Sequence, residues 1–137
     1  MSTDTQTFND LLGKSPFSSN LGITVESLGE NSAVCSLPVT EEVLNSYGTL
    51  HGGVHYSLAD STVAVALLHA LNSEAHVATI EGKINYVASI ESQSVDKIFA
   101  KADIDHVGSS TAVVSVDVTD EIDQLLCKCL FTFTVGR

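Results

Sequence analysis

Apolar and polar positions alternate clearly along one of the β-rich stretches that fill the second half of the chain. Ala112, Val114, Val116 and Val118 fall on one side, Thr111, Ser115 and Asp117 on the other, and this period of two predicts a strand with one buried face. Four β-rich stretches follow one another: His76 to Tyr86, Val95 to Asp105, Thr111 to Thr119 and Leu125 to Val135. Turn formers bound them, among them Asn72-Ser73-Glu74, Val107-Gly108-Ser109 and Asp120-Glu121-Ile122-Asp123. Earlier in the chain, Gly22 to Leu28 and Ala33 to Val39 read as two further strands joined by a hairpin at Gly29-Glu30-Asn31. Phe8 to Leu12 reads as a short helix stopped by Gly13, and Ser15-Pro16 breaks the chain again.

Val54 to Leu71 differs from all of these. Its apolar residues (Val54, Leu58, Ala59, Val63, Ala64, Val65, Ala66, Leu67, Leu68) fall almost all round a helix, which predicts one long helix with protein on most sides. Strands before and after a single buried helix, with no alternating strand-helix rhythm, point to an α+β fold in which an antiparallel sheet wraps around that helix. No repeat, low-complexity tract or linker divides the sequence, so residues 1–137 are expected to form one domain.

Composition narrows the function. Six Lys+Arg stand against seventeen Asp+Glu, a net charge of −11, and such a field repels nucleic acid and anionic membrane surfaces. Neither is expected as a partner. Met1 to Gln6 lacks the basic and apolar regions of a secretory signal, and the near-apolar run from Val63 to Leu71 is far shorter than the roughly twenty residues of a membrane span. A cytoplasmic location is expected. The three cysteines, Cys35, Cys127 and Cys129, are odd in number and lack a second Cys pair for zinc, so they read as free buried thiols.

The richest chemistry lies in Asn45-Ser46-Tyr47-Gly48-Thr49-Leu50-His51-Gly52-Gly53-Val54 and in Asp60, eight residues beyond Gly52. Gly52 and Gly53 open the helix, where backbone N–H groups lack internal acceptors and the helix dipole favours an anion. A carbonyl can approach glycine closely there, although an ordinary tight turn would use the same residues. Asp60 sits in an apolar helix at a cost of several kcal/mol unless it is paired or used; a hydrogen bond to Ser57 or Ser61 on a wet stripe is the structural alternative. Asn45, His51 and Thr79 are each compatible with turn, structural or strand roles as well as with a site. The spacing of His51 and His55 suits a metal pair, but the residues between them supply no carboxylate. No metal or redox cofactor is expected.

Gly48-Thr49-Leu50-His51-Gly52-Gly53, Leu58-Ala59-Asp60 and Ala78-Thr79-Ile80-Glu81-Gly82-Lys83-Ile84-Asn85-Tyr86 together resemble the hotdog-fold thioesterases of the phenylacetate-pathway (PaaI-like) type. The order of elements agrees from about Gly22 to Phe133, and the block from Asn45 to Asp60 is the specific part. The resemblance implies an acyl-coenzyme A thioester hydrolase. Asp60 would be nucleophile or general base, and the Gly52 N–H would polarise the carbonyl. Asn45 would orient substrate or water, His51 would buttress the loop, and Thr79 would support the nucleophile or water. Gly53, Val87, Ala88, Gly108, Ser109 and Ser110 stand where relatives meet the substrate. The resemblance also implies a homodimer with shared sites, commonly paired again into a tetramer.

Two features extend or depart from that pattern. In a regular helix Gly52 and Asp60 lie roughly 12 Å apart along the axis, too far for both to touch one carbonyl, so the donor and the carboxylate of one site are expected from different subunits. Relatives often carry Arg-Pro after the strand's Tyr and a basic residue near the turn before the next-to-last strand, whereas this chain reads Val87-Ala88-Ser89-Ile90 and His106-Val107-Gly108-Ser109-Ser110. The coenzyme A phosphates would then be held by backbone donors or by Lys83, Lys97 or Lys101. Tyr47, Tyr56, Phe17 and His55 are candidates for lining an acyl pocket. A non-catalytic acyl-thioester binding module and a hydroxyacyl-thioester dehydratase are the alternative functions.

Overall fold

A computed structural model describes residues 2–72, 74–90 and 95–136; Ser73, within an expected turn, lies outside them. Two short helices, α1 (Ser2–Gly13) and α2 (Pro16–Leu21), precede the strands β1 (Thr24–Gly29) and β2 (Ser32–Pro38). A single 3-10 turn (Glu41–Val43) leads to the long helix α3 (Gly52–Ala70). β3 (His76–Tyr86), β4 (Lys97–Val107), β5 (Thr111–Thr119) and β6 (Leu125–Gly136) follow. All six strands join one sheet in the order β1-β2-β4-β5-β6-β3, every neighbouring pair antiparallel. The expected sheet wrapped on one helix is present.

The alternation read from the sequence decides which face of the sheet meets α3. Ile98, Ala100 and Ala102 of β4, Ala112, Val114, Val116 and Val118 of β5, and Cys127, Cys129, Phe131, Phe133 and Val135 of β6 point inward and are buried. They pack with Leu58, Ala59, Val63, Ala66 and Leu67 of the helix. Each fully buried leucine among them contributes roughly 1.5–3 kcal/mol by leaving water. The helix lies chiefly over β4 and β2, where Ala33, Ala100 and Ala102 keep the sheet surface low enough for close approach.

The N-terminal region departs from expectation. The first helix is longer than Phe8 to Leu12, and the Ser15-Pro16 break is the start of a second helix: Ser15 caps it, accepting from the Ser18 N–H at 3.2 Å, with Pro16 as its first residue. Gly22, read as the first residue of a strand, is instead the left-handed C-cap of α2, at φ 76°. β1 therefore begins at Thr24, while the β4 expected from Val95 begins at Lys97 and extends to Val107.

A sheet of this kind has two edges, and the chain treats them differently. Asn9 of α1 seals the β1 edge: its Oδ1 accepts from the Val25 N–H at 2.7 Å and its Nδ2 donates to the Val25 carbonyl at 3.2 Å. The register shift between Val25 and Ser27 falls at the same place, and such a bulge also discourages further pairing. β3, at the other end of the sheet, is exposed along most of its length. Replacing Asn9 by Ala is expected to lower stability by about 1–3 kcal/mol through the loss of two bonds to partly buried backbone groups. Thermal unfolding of the variant checks this, alongside an increase in association at the newly open edge.

Candidate active site

The loop before α3 is built around Asn45. Its Oδ1 accepts from the N–H groups of Tyr47 (2.9 Å) and Thr49 (3.2 Å), and its Nδ2 donates to Thr49 Oγ1 at 2.8 Å. Gly48 supplies the left-handed backbone at φ 79° that the turn needs. The loop is tied down by Leu50 N–H to the Ile90 carbonyl (2.8 Å) and His51 N–H to the Val43 carbonyl (2.9 Å). Asn45 thus organises the turn, and one of its two amide hydrogens has no acceptor among the described residues.

His51 is the N-cap of α3. Its Nδ1 accepts from the Gly53 N–H at 2.9 Å, and its carbonyl accepts from the Val54 N–H at 3.0 Å, so the ring is neutral with its proton on Nε2. These bonds use the second and third N–H groups of the helix. The first, on Gly52, has no acceptor among the described residues. Gly53 is therefore already committed, and Gly52 carries the free donor at the positive end of the helix. Tyr86 holds this end from the other side, its hydroxyl donating to the Gly52 carbonyl at 2.6 Å.

Asp60 lies two turns further along. Its partner is Thr79 rather than Ser57 or Ser61: Thr79 Oγ1 donates to Asp60 Oδ1 at 2.5 Å. Ser57 instead donates to the Gly53 carbonyl at 2.8 Å. The Thr79 contact depends on an irregularity in β3. Gly82 faces the helix and Ile84 packs on the core, so strict alternation would turn Thr79 away. The register shift between Thr79 and Glu81 reverses the parity. Thr79 and Val77 then face α3 together with Gly82, Ile84 and Tyr86.

Tyr86 beside Gly52, Gly82 beside Tyr56 and Thr79 beside Asp60 form a stripe along one side of α3. The remaining expected residues divide between its two ends. Val87 and Ala88, whose N–H groups bond to the Leu126 carbonyl at 2.7 and 3.2 Å, extend the Gly52 end. Gly108, Ser109 and Ser110 form the β4–β5 turn, and Ser110 bonds through its carbonyl to Val135, the partner of Val77 at the far end of β3. Ten residues of strand separate these ends, about 30 Å at roughly 3.3 Å per residue. One chain does not bring its own candidates together.

The lysines considered for phosphate lie on the outer face of the sheet, away from α3. Lys97 pairs with Glu26 at 3.6 Å. Lys101 shares a cavity of about 410 Å³ with Asp117, Asp120, Glu121 and Asp123, surroundings that repel phosphate. Of the aromatic candidates, Tyr47 is 90% exposed at the loop tip and Phe17 lies on α2. Tyr56 is half-buried against Phe131, with ring centroids 5.3 Å apart. Burial raises the thiols of Cys35 to about 11, Cys127 to about 12 and Cys129 to about 11, so all three are unreactive.

His55 is buried under the site, 3% exposed, with its ring edge against Tyr86. Its Nδ1 faces the His51 carbonyl at 3.2 Å and its Nε2 has no partner. Burial pushes its pKa below the usual 6.5, against the opposing pull of hydrogen bonds to the backbone at His51 and Gly52. The folded state binds the proton more weakly than the unfolded state, so the stabilisation from neutral His55 is complete above about pH 6.5 and is lost as pH falls through the window beneath it. Between neutral pH and pH about 5, the Tm of the native protein should fall further than that of His55→Phe; equal falls would rule out this linkage.

The comparisons with known proteins converge on this architecture. The sequence pattern of the thioesterase superfamily matches residues 47–127. A 1,4-dihydroxy-2-naphthoyl-CoA hydrolase of Listeria monocytogenes is 34% identical over 117 residues, covering 85% of this chain and 93% of that one. The acyl-coenzyme A thioesterase PaaI of Escherichia coli is 30% identical over 102 residues, covering 74% and 69%. Among solved structures, a Haemophilus influenzae thioesterase superposes with a TM-score of 0.87 at 27% identity, over 96% of this chain and 89% of that one. A Streptococcus pneumoniae thioesterase solved with coenzyme A gives 0.73 at 26% identity, over 84% and 87%. With the helix-start block and the helical carboxylate on one stripe of the same fold, the chain belongs to the thioesterase superfamily and is a hotdog-fold thioester hydrolase of the PaaI-like type.

Proposed function

We propose that the protein hydrolyses acyl-coenzyme A esters in sites shared by two copies of the chain, with Asp60 from one and the Gly52 N–H from the other. One observation carries this reading: the free donor and the carboxylate lie on the same stripe of α3, about 12 Å apart along its axis. Neither end is a site alone. The Gly52 end has Tyr86, Val87 and Ala88, the Asp60 end has Thr79 and the turn at Gly108 to Ser110, and a two-fold axis brings one of each together twice. The exposed edge of β3 is where a second copy can add its own β3. Relatives named as CoA hydrolases and a structural neighbour solved with coenzyme A support the carrier.

In this reading the thioester oxygen accepts from the Gly52 N–H, which strengthens its hold as negative charge develops there. Thr79 occupies Asp60 Oδ1, leaving Oδ2 to act. Oδ2 either attacks the carbonyl carbon, expelling the thiolate and leaving an anhydride that water opens, or takes a proton from the water that attacks. Both routes yield the acid and the free thiol. His51 holds the donor in place from Gly53, and the spare Asn45 hydrogen is available to the substrate or water. Pairing of dimers into a tetramer and a cytoplasmic setting, where free thiols persist, complete the proposal. No described helix is long and apolar enough to cross a membrane.

The test uses two variants that each damage one half. Asp60→Asn removes the carboxylate and should lower kcat on the order of 10²–10⁴-fold. Gly52→Pro removes the donor N–H and adds a ring whose Cβ meets the Tyr86 hydroxyl at 3.2 Å, which Tyr86 accommodates by a shift of a few tenths of an ångström; it is the first helical position, where proline is accepted, and His51 already has the extended backbone that precedes proline, at ψ 135°. A loss of about 10²–10³-fold is expected. Co-refolding equal amounts should restore roughly a quarter of all sites, because half the dimers are mixed and each has one intact site. Confirmed mixing of differently tagged chains without recovered activity would place the whole site in one chain.

The environment of the lysines yields a second expectation. Removing the terminal phosphate of the substrate's coenzyme A should leave KM within a few-fold, since among the described residues the three lysines considered for it lie on the outer face of the sheet and Lys14 lines a separate cavity beside Leu68, at the other end of α3 from Gly52. A large rise in KM for the dephospho ester would reveal a phosphate site.

A further inference from the structure

We infer that Tyr56 stands on the two-fold axis of the dimer, where it meets the partner's Tyr56 and forms the wall between the two acyl sites. The inference rests on the shared-site reading above and assigns a residue that reading leaves without a role. If the Gly52 end of one helix meets the Asp60 end of the other, symmetry requires the axis to pass near the midpoint between residues 52 and 60 of either helix. At 100° and 1.5 Å per residue, position 56 is midway both along the helix and around it. Tyr56 is that residue.

The same argument carries over to β3. Tyr86 is bonded to the Gly52 carbonyl and Thr79 to Asp60, so the same symmetry brings the partner's Tyr86 close to Thr79, and the midpoint of 79 and 86 falls between Gly82 and Lys83. Gly82 is the residue over which Tyr56 lies: any side chain there would run into the Tyr56 hydroxyl and the Phe131 ring. Helix and strand therefore indicate one point from different contacts. Charge agrees with it. Antiparallel pairing of two β3 edges centred on Gly82 sets Glu81 opposite the partner's Lys83 on the outer face, twice by symmetry. Both side chains are exposed, and neither has an ion-pair partner of its own among the described residues.

The consequence is functional. Each reacting carbonyl lies about 6 Å from the axis, half of the Gly52-to-Asp60 separation, on opposite sides of the two tyrosines. Tyr56 is held against Phe131 and the floor at Gly82, and its hydroxyl makes no hydrogen bond among the described residues. An acyl group growing toward the axis meets these two rings. Tyr56 is thus a specificity-determining residue that limits the acyl group on that side.

Cross-linking tests the position. Tyr56→Cys should be joined to itself by short bis-methanethiosulfonate reagents, giving a dimer-sized band without reductant. The native thiols are buried and should give none. His76→Cys, at the exposed start of β3, should also give none, because pairing centred on Gly82 leaves the two copies of residue 76 about 40 Å apart. Charge reversal provides an arm that does not touch Tyr56: Glu81→Lys or Lys83→Glu alone should weaken the dimer, and the double variant should restore it. Tyr56→Ala should raise kcat/KM for bulky acyl groups relative to small ones by about tenfold or more, the scale of one methylene fitted or refused by a pocket. Failure of the cross-link and of the charge rescue, with activity still recovered by mixing Asp60→Asn and Gly52→Pro, would overturn the axis position and leave the shared site standing. Failure of the mixing as well would overturn both. An unchanged acyl ranking in a cross-linking dimer would overturn the dividing role.

Discussion

One antiparallel sheet can cover a helix on one side only, and α3 is apolar almost all round. The rest of the structure follows from that mismatch. β2, β4, β5 and β6 bury Leu58, Ala59, Val63, Ala66 and Leu67, but the side of α3 that carries Gly52, Tyr56 and Asp60 faces β3, the last strand of the sheet. Among the described residues, no further strand lies beyond β3. The groups suited to chemistry stand on the one stripe that the fold leaves half covered. An edge strand is normally a liability, and the chain removes it at β1 with the amide of Asn9 while leaving β3 open. In the dimer proposed above, association falls on the side where the stripe is incomplete.

The helix start shows how few groups such a site needs. Four N–H groups at a helix N-terminus lack internal acceptors. His51 takes the second with its ring and the third with its carbonyl, which leaves the Gly52 N–H directed outward beside a glycine Cα. Tyr86 braces the same peptide from the strand. The Asp60 end is arranged with similar economy. A carboxylate in the middle of an apolar helix would be costly if fully buried, but this one is partly exposed and receives a hydroxyl donor from Thr79. Only one of its oxygens is occupied.

Charge reinforces the separation of the two faces. The sequence carries few cations, and on the sheet they lie outside, where Lys97 and Lys128 pair with Glu26 and Asp117. The stripe of α3 beside β3 presents hydroxyls, aromatic rings and backbone donors instead.

Much of this could be read from the order of residues. Period-two alternation located β5 to the residue, because it has one face in the core and the other outside, and β-forming composition between turn formers located β3. The run from Val54 marked the helix, and His51-Gly52-Gly53 marked its start, since caps and glycines act locally. Ser15-Pro16 was a helix start mistaken for a break: capping serine and first-position proline have the same composition as a turn until the residues after them are seen to coil. Other features had no local signal. Thr79 reaches Asp60 only because the irregularity beside Ile80 reverses the strand's parity, and Tyr86 reaches Gly52 across thirty-four residues of chain. Which edge stays open depends on Asn9 touching Val25 sixteen residues away. The sequence by itself determined the central helix, most strands with their buried faces and the candidates for acting on a carbonyl, because periodicity, capping and side-chain chemistry are properties of neighbours. The tertiary structure alone decided that the donor and the carboxylate share one stripe beside an open strand, because strand order and register arise from contacts between residues far apart in the chain.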